Sequence, residues 1–200
     1  DKINKKEKNM TSHDDKICRF PIPEISSLPE DIRKEILKIQ EKMGFVPNVF
    51  LILSRRPEEF RAFFAFNRTL MEEERGLTKA EKEMIVVATS AENNCQYCVV
   101  AHGAVLRIRT KNPTIADQIA INYRKADLSE REIAMLDFAV KVTNESDKIS
   151  DDDYQKLYSF NFSDEDIWDI ASISAFFGMS NRLANFGNMR PNREFFSMGR

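Results

Sequence analysis

The stretch Glu83-Met-Ile-Val-Val-Ala-Thr-Ser-Ala-Glu-Asn-Asn-Cys95-Gln-Tyr-Cys98-Val-Val-Ala-His102 gathers the side chains best suited to chemistry. Two cysteines stand three apart and a histidine follows four residues after the second. On a helix beginning near Cys95, positions 95, 98 and 102 share one face. Asn93 and Asn94 are turn-prone, which puts Cys95 at the helix entrance rather than inside it. A disulfide needs Cβ atoms about 3.5–4.5 Å apart, a distance easier to reach when the first cysteine is a cap. The free N–H groups and dipole of a helix start also favour a thiolate. Cys98 and His102, at i and i+4, are in direct reach, so the imidazole can assist thiolate formation. Glu83 is a carboxylate on a largely apolar stretch, stacked above Val87 and Ser90. A short turn at 92–94 folds its helix back on the next. A carboxylate beside an imidazole can move a proton from a thiol to a leaving oxygen. These residues read as a redox dithiol with a proton relay.

Metal binding is the common rival of a Cys-x-x-Cys pair. Structural zinc normally gathers ligands from two elements and includes a second cysteine or histidine pair. Here the only further candidates are His13 and Cys18 in a polar N-terminal segment, so no metal and no cofactor are expected. Cys18 is isolated and reads as incidental. Asp151, Asp152 and Asp153 read as the solvated start of a helix. Asn181, Arg182, Asn185, Asn188 and Asn192 form an Asn-rich stretch, 181–192, suited to interface or capping hydrogen bonds.

The elements that hold these residues are helices. Only six glycines and seven prolines serve 200 residues, too few for a turn-rich β-protein. Ser27/Glu30, Thr78/Glu81 and Ser129/Glu132 have capping-box spacing, with Ser150/Asp153 and Ser163/Asp166 as shorter-armed versions. Periodicity between these caps predicts helices over about 29–43, 48–55, 57–74, 79–92, 95–109, 114–124, 130–144, 151–160 and 164–189. Ile32, Ile36, Leu37 and Ile39 form the inner face of the first, which Gly44 stops. Phe60, Phe63, Phe64 and Phe66 read as core. Residues 1–18 carry no hydrophobic period and read as a flexible tail, with Met10 a candidate start; residues 19–200 read as one compact all-α domain. Lys and Arg total 30 against 32 Asp and Glu. That balance gives no reason to expect nucleic acid or an anionic membrane as a partner. No apolar run approaches the roughly 20 residues of a membrane span. Three cysteines without a secretory signal do not make a disulfide scaffold, which points to a reduced, cytoplasmic chain.

The pattern Glu-x11-Cys-x-x-Cys-x3-His resembles that of the alkylhydroperoxidase D-like (AhpD-like) proteins, within the carboxymuconolactone decarboxylase-like superfamily. Glu83, Cys95, Cys98 and His102 match it residue for residue. LPEDIRKEI, GFVPNVF, RPEEFRAFFAF, GLTKAEKEMI, CQYCVVAHGAVLR, MLDFAVKVT, DEDIWDI and AFFGMSNRLANFGNMRPN extend the likeness, to the branch called peroxidase-related proteins, over nearly the whole chain. The resemblance implies an AhpD-like all-α fold with Cys-x-x-Cys at a helix N-terminus. It further implies peroxide reduction by the cysteine pair and assembly of dimers into trimeric or hexameric forms. By the same resemblance Cys98 attacks peroxide and Cys95 resolves the product to a disulfide. The best-studied members carry a histidine between the cysteines; this chain carries Tyr97, so one relay group is absent.

The leading expectation is a thiol-dependent peroxidase that reduces hydrogen peroxide or organic hydroperoxides. An external dithiol, lipoyl or thioredoxin-type, would reset its disulfide. A protein thiol–disulfide oxidoreductase and a non-enzymatic redox sensor are the alternatives; a decarboxylase role is disfavoured because that branch does not rely on a cysteine pair. Only Cys98 is placed to receive help from His102 one turn later and Glu83 across the turn. Its thiolate is therefore expected to form more readily than that of an ordinary cysteine. Ile170, Ile173, Phe176, Phe177, Leu183 and Phe186, with Phe195 and Phe196 beyond, offer more apolar surface than one helical layer buries, which points to a homo-oligomer.

Overall fold

The computed structural model describes residues 16–73 and 75–200. Met10, His13 and the rest of the expected tail up to residue 15 lie outside the described residues. Among those described there is no strand, and the chain runs through α1 (Glu30–Met43), α2 (Asn48–Leu53), α3 (Pro57–Met71), α4 (Lys79–Glu92) and α5 (Gln96–Thr110). It continues through α6 (Ile115–Asn122), α7 (Glu130–Glu145), α8 (Asp151–Ser159), α9 (Asp164–Phe186) and α10 (Glu194–Ser197). The expected helices are present, each shifted at its ends by a few residues at most. α10 is an addition that four residues of sequence pattern could not announce.

Four of the five capping boxes form, at Thr78/Glu81, Ser129/Glu132, Ser150/Asp153 and Ser163/Asp166. The fifth does not. Pro29 precedes α1, and the Ser27 hydroxyl donates instead to the Glu24 carbonyl at 2.7 Å within a short 3-10 turn. Gly44 ends α1 as expected, with φ 80° and its N–H on the Gln40 carbonyl at 2.8 Å.

α4 is the axis of the fold. Every residue from Glu81 to Ser90 is buried, because α5, α6, α7 and α9 pack around it. A helix enclosed on all sides carries polar groups only where partners exist. Lys82 reaches the Leu70 carbonyl at 2.7 Å. Glu81 caps its own helix with one oxygen and pairs with Arg131 through the other. The turn Asn93–Asn94, with Asn94 in the left-handed region at φ 52°, sends the chain back as α5 beside α4.

Several side chains lie elsewhere than their sequence spacing suggested. Leu37 is 47% exposed and Phe66 is 51% exposed, so neither belongs to the core, although Phe66 still meets Phe176 edge-on. Each lies on the outer margin of a helix that buries only its inner face. Ile17 and Cys18, expected in the tail, are docked. The Ile17 carbonyl accepts the Arg190 N–H, the Arg19 N–H reaches the Gly187 carbonyl, and Cys18 is buried in the same apolar cluster as Cys95 and Cys98. Ile170, Ile173, Phe176 and Phe177 are covered by this chain's own helices. They therefore leave no surface for a second subunit, and only Phe186 and Phe196 of that set stay exposed. No helix among the described residues is long and apolar enough to cross a membrane.

The α3–α4 turn is locked to the start of α9. A Cβ at Gly76 would stand 1.8 Å from Asp166 Oδ1, and the other Asp166 oxygen accepts the Ser163 N–H and hydroxyl at 2.8 Å each. Gly76→Ala is expected to displace the cap and lower stability by about 1–3 kcal/mol. Urea unfolding checks this, and in an Asp166→Ala background the added loss should largely vanish.

Candidate active site

The α4–α5 hairpin places the four expected residues. Cys95 is the N-cap of α5, and its sulfur accepts the Cys98 backbone N–H at 3.4 Å. The N-cap position bends Cys95 toward Cys98, one turn on, as a pair within a regular helix would not be. Both are reduced and buried, Cys95 at 1% exposure and Cys98 at 3%. Glu83, deep in α4, faces His102 on α5, with Oε2 2.7 Å from Nδ1. The ring meets Phe177 edge-on at 4.8 Å. Its second nitrogen has no hydrogen-bond partner among the described residues.

Cys98, His102 and Tyr97 line a cavity of about 370 Å³ whose walls come from α1, α2, α3, α5 and α9. The lining is mostly apolar: Val49, Phe50, Leu53, Phe63, Phe64, Phe177 and Leu183 among others. Cys95 is not part of it. Phe195 closes one side because buried Arg107 pins the last helix, its Nε on the Met198 carbonyl at 2.9 Å and Nη2 on the Phe195 carbonyl at 2.7 Å.

The expected order of ionisation is reversed. The thiol of Cys98 hydrogen-bonds to Cys95 and lowers its pKa from 9.0 to about 7; burial opposes this, while the Cys98 N–H, Asn181 and His102 assist. Cys98 itself is pushed well above 9.0 by that same neighbour, by burial and by the charge on Cys95. The pair thus holds its first negative charge on the capping sulfur and its remaining proton on the sulfur that faces the cavity. No hydrogen bond joins His102 or Glu83 to Cys98, so the proximity read from i and i+4 spacing does not amount to a hydrogen bond. Instead, Ser180 Oγ lies 4.0 Å from Cys98 Sγ.

Three further groups were not singled out for the site by sequence. Asn181 is fully buried; it donates to Ser90 Oγ at 2.9 Å, accepts from Asn93 at 3.0 Å and interacts with both sulfurs. Together with Asn185, which donates to the Asn93 carbonyl, it fastens the turn before Cys95. The Asn-rich stretch therefore makes hydrogen bonds of the capping kind inside the chain. Asn192 does the same for α2, accepting the Asn48 N–H at 2.8 Å and donating to the Val46 carbonyl at 2.9 Å. For Asn181 the available signal was the Ser180-Asn181 pair directly after the apolar run Ala175-Phe176-Phe177-Gly178-Met179 of α9. Arg109, two turns beyond His102 on the same face, stands 3.7 Å from the second oxygen of Glu83. Cys18 closes a local turn, accepting the Phe20 N–H and donating to its carbonyl. Among the described residues no group of three or more His, Cys, Asp or Glu is arranged to hold a metal ion.

Comparison with known proteins shows the family and the fold. The carboxymuconolactone decarboxylase family pattern matches residues 57–122, which hold all four site residues. Among curated proteins none matches the chain. The crystal structure of an alkylhydroperoxidase AhpD-core, peroxidase-related protein from Ralstonia eutropha JMP134 superposes with a TM-score of 0.92 at 60% identity, over 92% of this chain and 97% of that one. A peroxidase-related protein from Silicibacter sp. TM1040 gives 0.90 at 39% identity, over 95% and 100%. The debrominase Bmp8, at 19% identity, shares the fold with a TM-score of 0.75 over 94% and 97%. Likeness at 60% identity over nearly the whole length, with the cysteine pair at the head of a helix, places the chain in the AhpD-like, carboxymuconolactone decarboxylase family, among its peroxidase-related proteins.

Proposed function

We propose that the protein is a thiol-dependent peroxidase that reduces organic hydroperoxides through Cys98 and Cys95. The observation that carries this reading is the division of the pair: one sulfur borders an apolar cavity beside an imidazole, and the other sits behind it as a helix cap. A cavity of about 370 Å³ far exceeds hydrogen peroxide and suits a hydroperoxide with a bulky apolar group.

In the proposed cycle Cys98 passes its proton to the Cys95 thiolate as its sulfur attacks the terminal peroxide oxygen. An S–O bond forms and the O–O bond breaks. His102, held by Glu83, supplies the proton that lets the other oxygen leave as an alcohol, and recovers one from solvent. Cys95 then displaces the hydroxyl of the Cys98 sulfenic acid, whose oxygen leaves as water with the Cys95 proton, and a disulfide remains. An external dithiol, lipoyl or thioredoxin-type, reduces that disulfide and is itself oxidised. The same reading carries a homo-oligomer, a dimer or a trimer of dimers. Exposed Trp168, Phe186 and Phe196 support it, and light scattering at micromolar concentration should give a mass above that of one chain.

Intact-protein mass spectrometry after one equivalent of cumene hydroperoxide, with dimedone present, tests the roles. Cys98→Ser should not react. Cys95→Ser should react once, more slowly than the native protein because the proton acceptor is gone, and stall as the dimedone adduct of Cys98. Glu83→Gln and His102→Ala should slow the first step by about 10²–10⁴-fold. A dimedone adduct on Cys95 in Cys98→Ser would reverse the assignment.

The charge distribution gives a pH test. The first thiolate has a lowered pKa of about 7, so it is present above that pH and protonated below it. Absorbance at 240 nm should rise by one thiolate across neutrality. Cys95→Ser should shift that rise to markedly higher pH.

A further inference from the structure

Tyr97 stands between the two cysteines, in the first turn of α5, and lines the cavity beside Cys98. Its ring is 5% exposed. The phenol oxygen accepts the Val49 backbone N–H at 3.0 Å, which ties α5 to the wall formed by α2. That bond uses the oxygen as acceptor and leaves its own O–H proton without an acceptor among the described residues. Buried hydroxyl groups rarely stay half-satisfied unless something else enters the site.

We propose that the Tyr97 hydroxyl is the donor that binds an oxygen of the hydroperoxide and so sets the peroxide bond in line with Cys98. This rests on the peroxidase reading above. The Val49 N–H occupies the oxygen from one side, and the residue lines the cavity beside Cys98, so the O–H is open to an acceptor bound there. Val49, Phe50 and Phe177 are apolar; the donors nearest Cys98 in the lining besides Tyr97 are His102, held by Glu83, and Ser180, which lies against the sulfur itself. Burial and the nearby sulfurs push the Tyr97 pKa up, against the Val49 bond. Tyr97 therefore donates a hydrogen bond but keeps its proton. Proton transfer stays with His102, which separates the two roles: Tyr97 orients, His102 protonates. A small polar end held by one donor, with the rest of the molecule against aromatic walls, selects hydroperoxides over equally apolar molecules that lack an acceptor.

The test uses the Cys95→Ser protein, in which Cys98 reacts once and the product is counted by mass spectrometry. Cumene hydroperoxide with dimedone reads the peroxide step. Allyl bromide, an electrophile with no oxygen to bind, reads the bare reactivity and access of Cys98. Adding Tyr97→Phe should slow the peroxide step by about 10²–10³-fold, the range of a lost donor at a developing negative oxygen, and leave alkylation little changed. Replacement of Tyr97 by 3-fluorotyrosine, a stronger donor and a weaker acceptor, should keep or raise the peroxide rate. If Tyr97 served only to hold Val49, the fluorinated protein would instead be slower, and Tyr97→Phe would slow both reactions alike. Either result overturns the proposal, as does a Tyr97→Phe protein that reacts with peroxide at the unaltered rate. A Cys95→Ser protein that is alkylated at Cys98 yet ignores peroxide overturns the peroxidase reading itself, and this proposal with it.

Discussion

The hydrogen bond from the Cys98 backbone N–H to the Cys95 sulfur is the constraint on which the site depends. A helix start leaves several N–H groups without intrahelical partners. Here one of them is answered by a thiol where a Ser or Asp would commonly stand. The cap sets the rotamer of Cys95, turns its sulfur toward Cys98, and places it at the positive end of α5. The cap thereby lets the Cys98 thiol hydrogen-bond to Cys95, and the two together make the sulfur away from the cavity the more acidic one.

The cap is only as good as the turn that delivers it. Cys95 N–H bonds to the Ser90 carbonyl at 2.9 Å, Asn94 takes the left-handed conformation, and Asn181 spans Ser90 and Asn93 from α9. The long helix α9 thus reaches the chemistry through polar residues set in an apolar face. Meanwhile Glu83 is kept inside the bundle, with His102 on one oxygen and Arg109 near the other. A buried carboxylate without such partners would be costly.

Much of this was legible in the sequence, for physical reasons that differ by residue. Capping boxes are local, and Thr78, Ser129, Ser150 and Ser163 announced their helices through bonds spanning three residues. Ser27 misled because Pro29 holds the N-cap place and α1 begins at Glu30, which leaves Ser27 two residues too early to cap it. The pairing of Glu83 with His102 was legible because one short turn joins their helices. What sequence spacing could not supply was distance across the fold. Asn181 and Ser180 come to the cysteines from about 80 residues away, and Arg107 fastens a four-residue helix 88 residues on. The ionisation of the pair failed for a related reason. Residue spacing put a base near Cys98, but the hydrogen bond between the two thiols, with the Cys98 backbone N–H assisting, decided where the charge rests.

The position of Cys95 behind the cavity has a kinetic consequence. Cys95 is 1% exposed and does not line the cavity, so a dithiol that resets the proposed disulfide would meet the Cys98 sulfur, from the cavity the hydroperoxide would enter. The group it expels is then Cys95, the better leaving thiolate of the two because it is the more acidic. Oxidant and reductant would then compete for the same cavity. Turnover on this fold would therefore alternate strictly between two half-reactions, with each partner, in excess, acting as an inhibitor of the other.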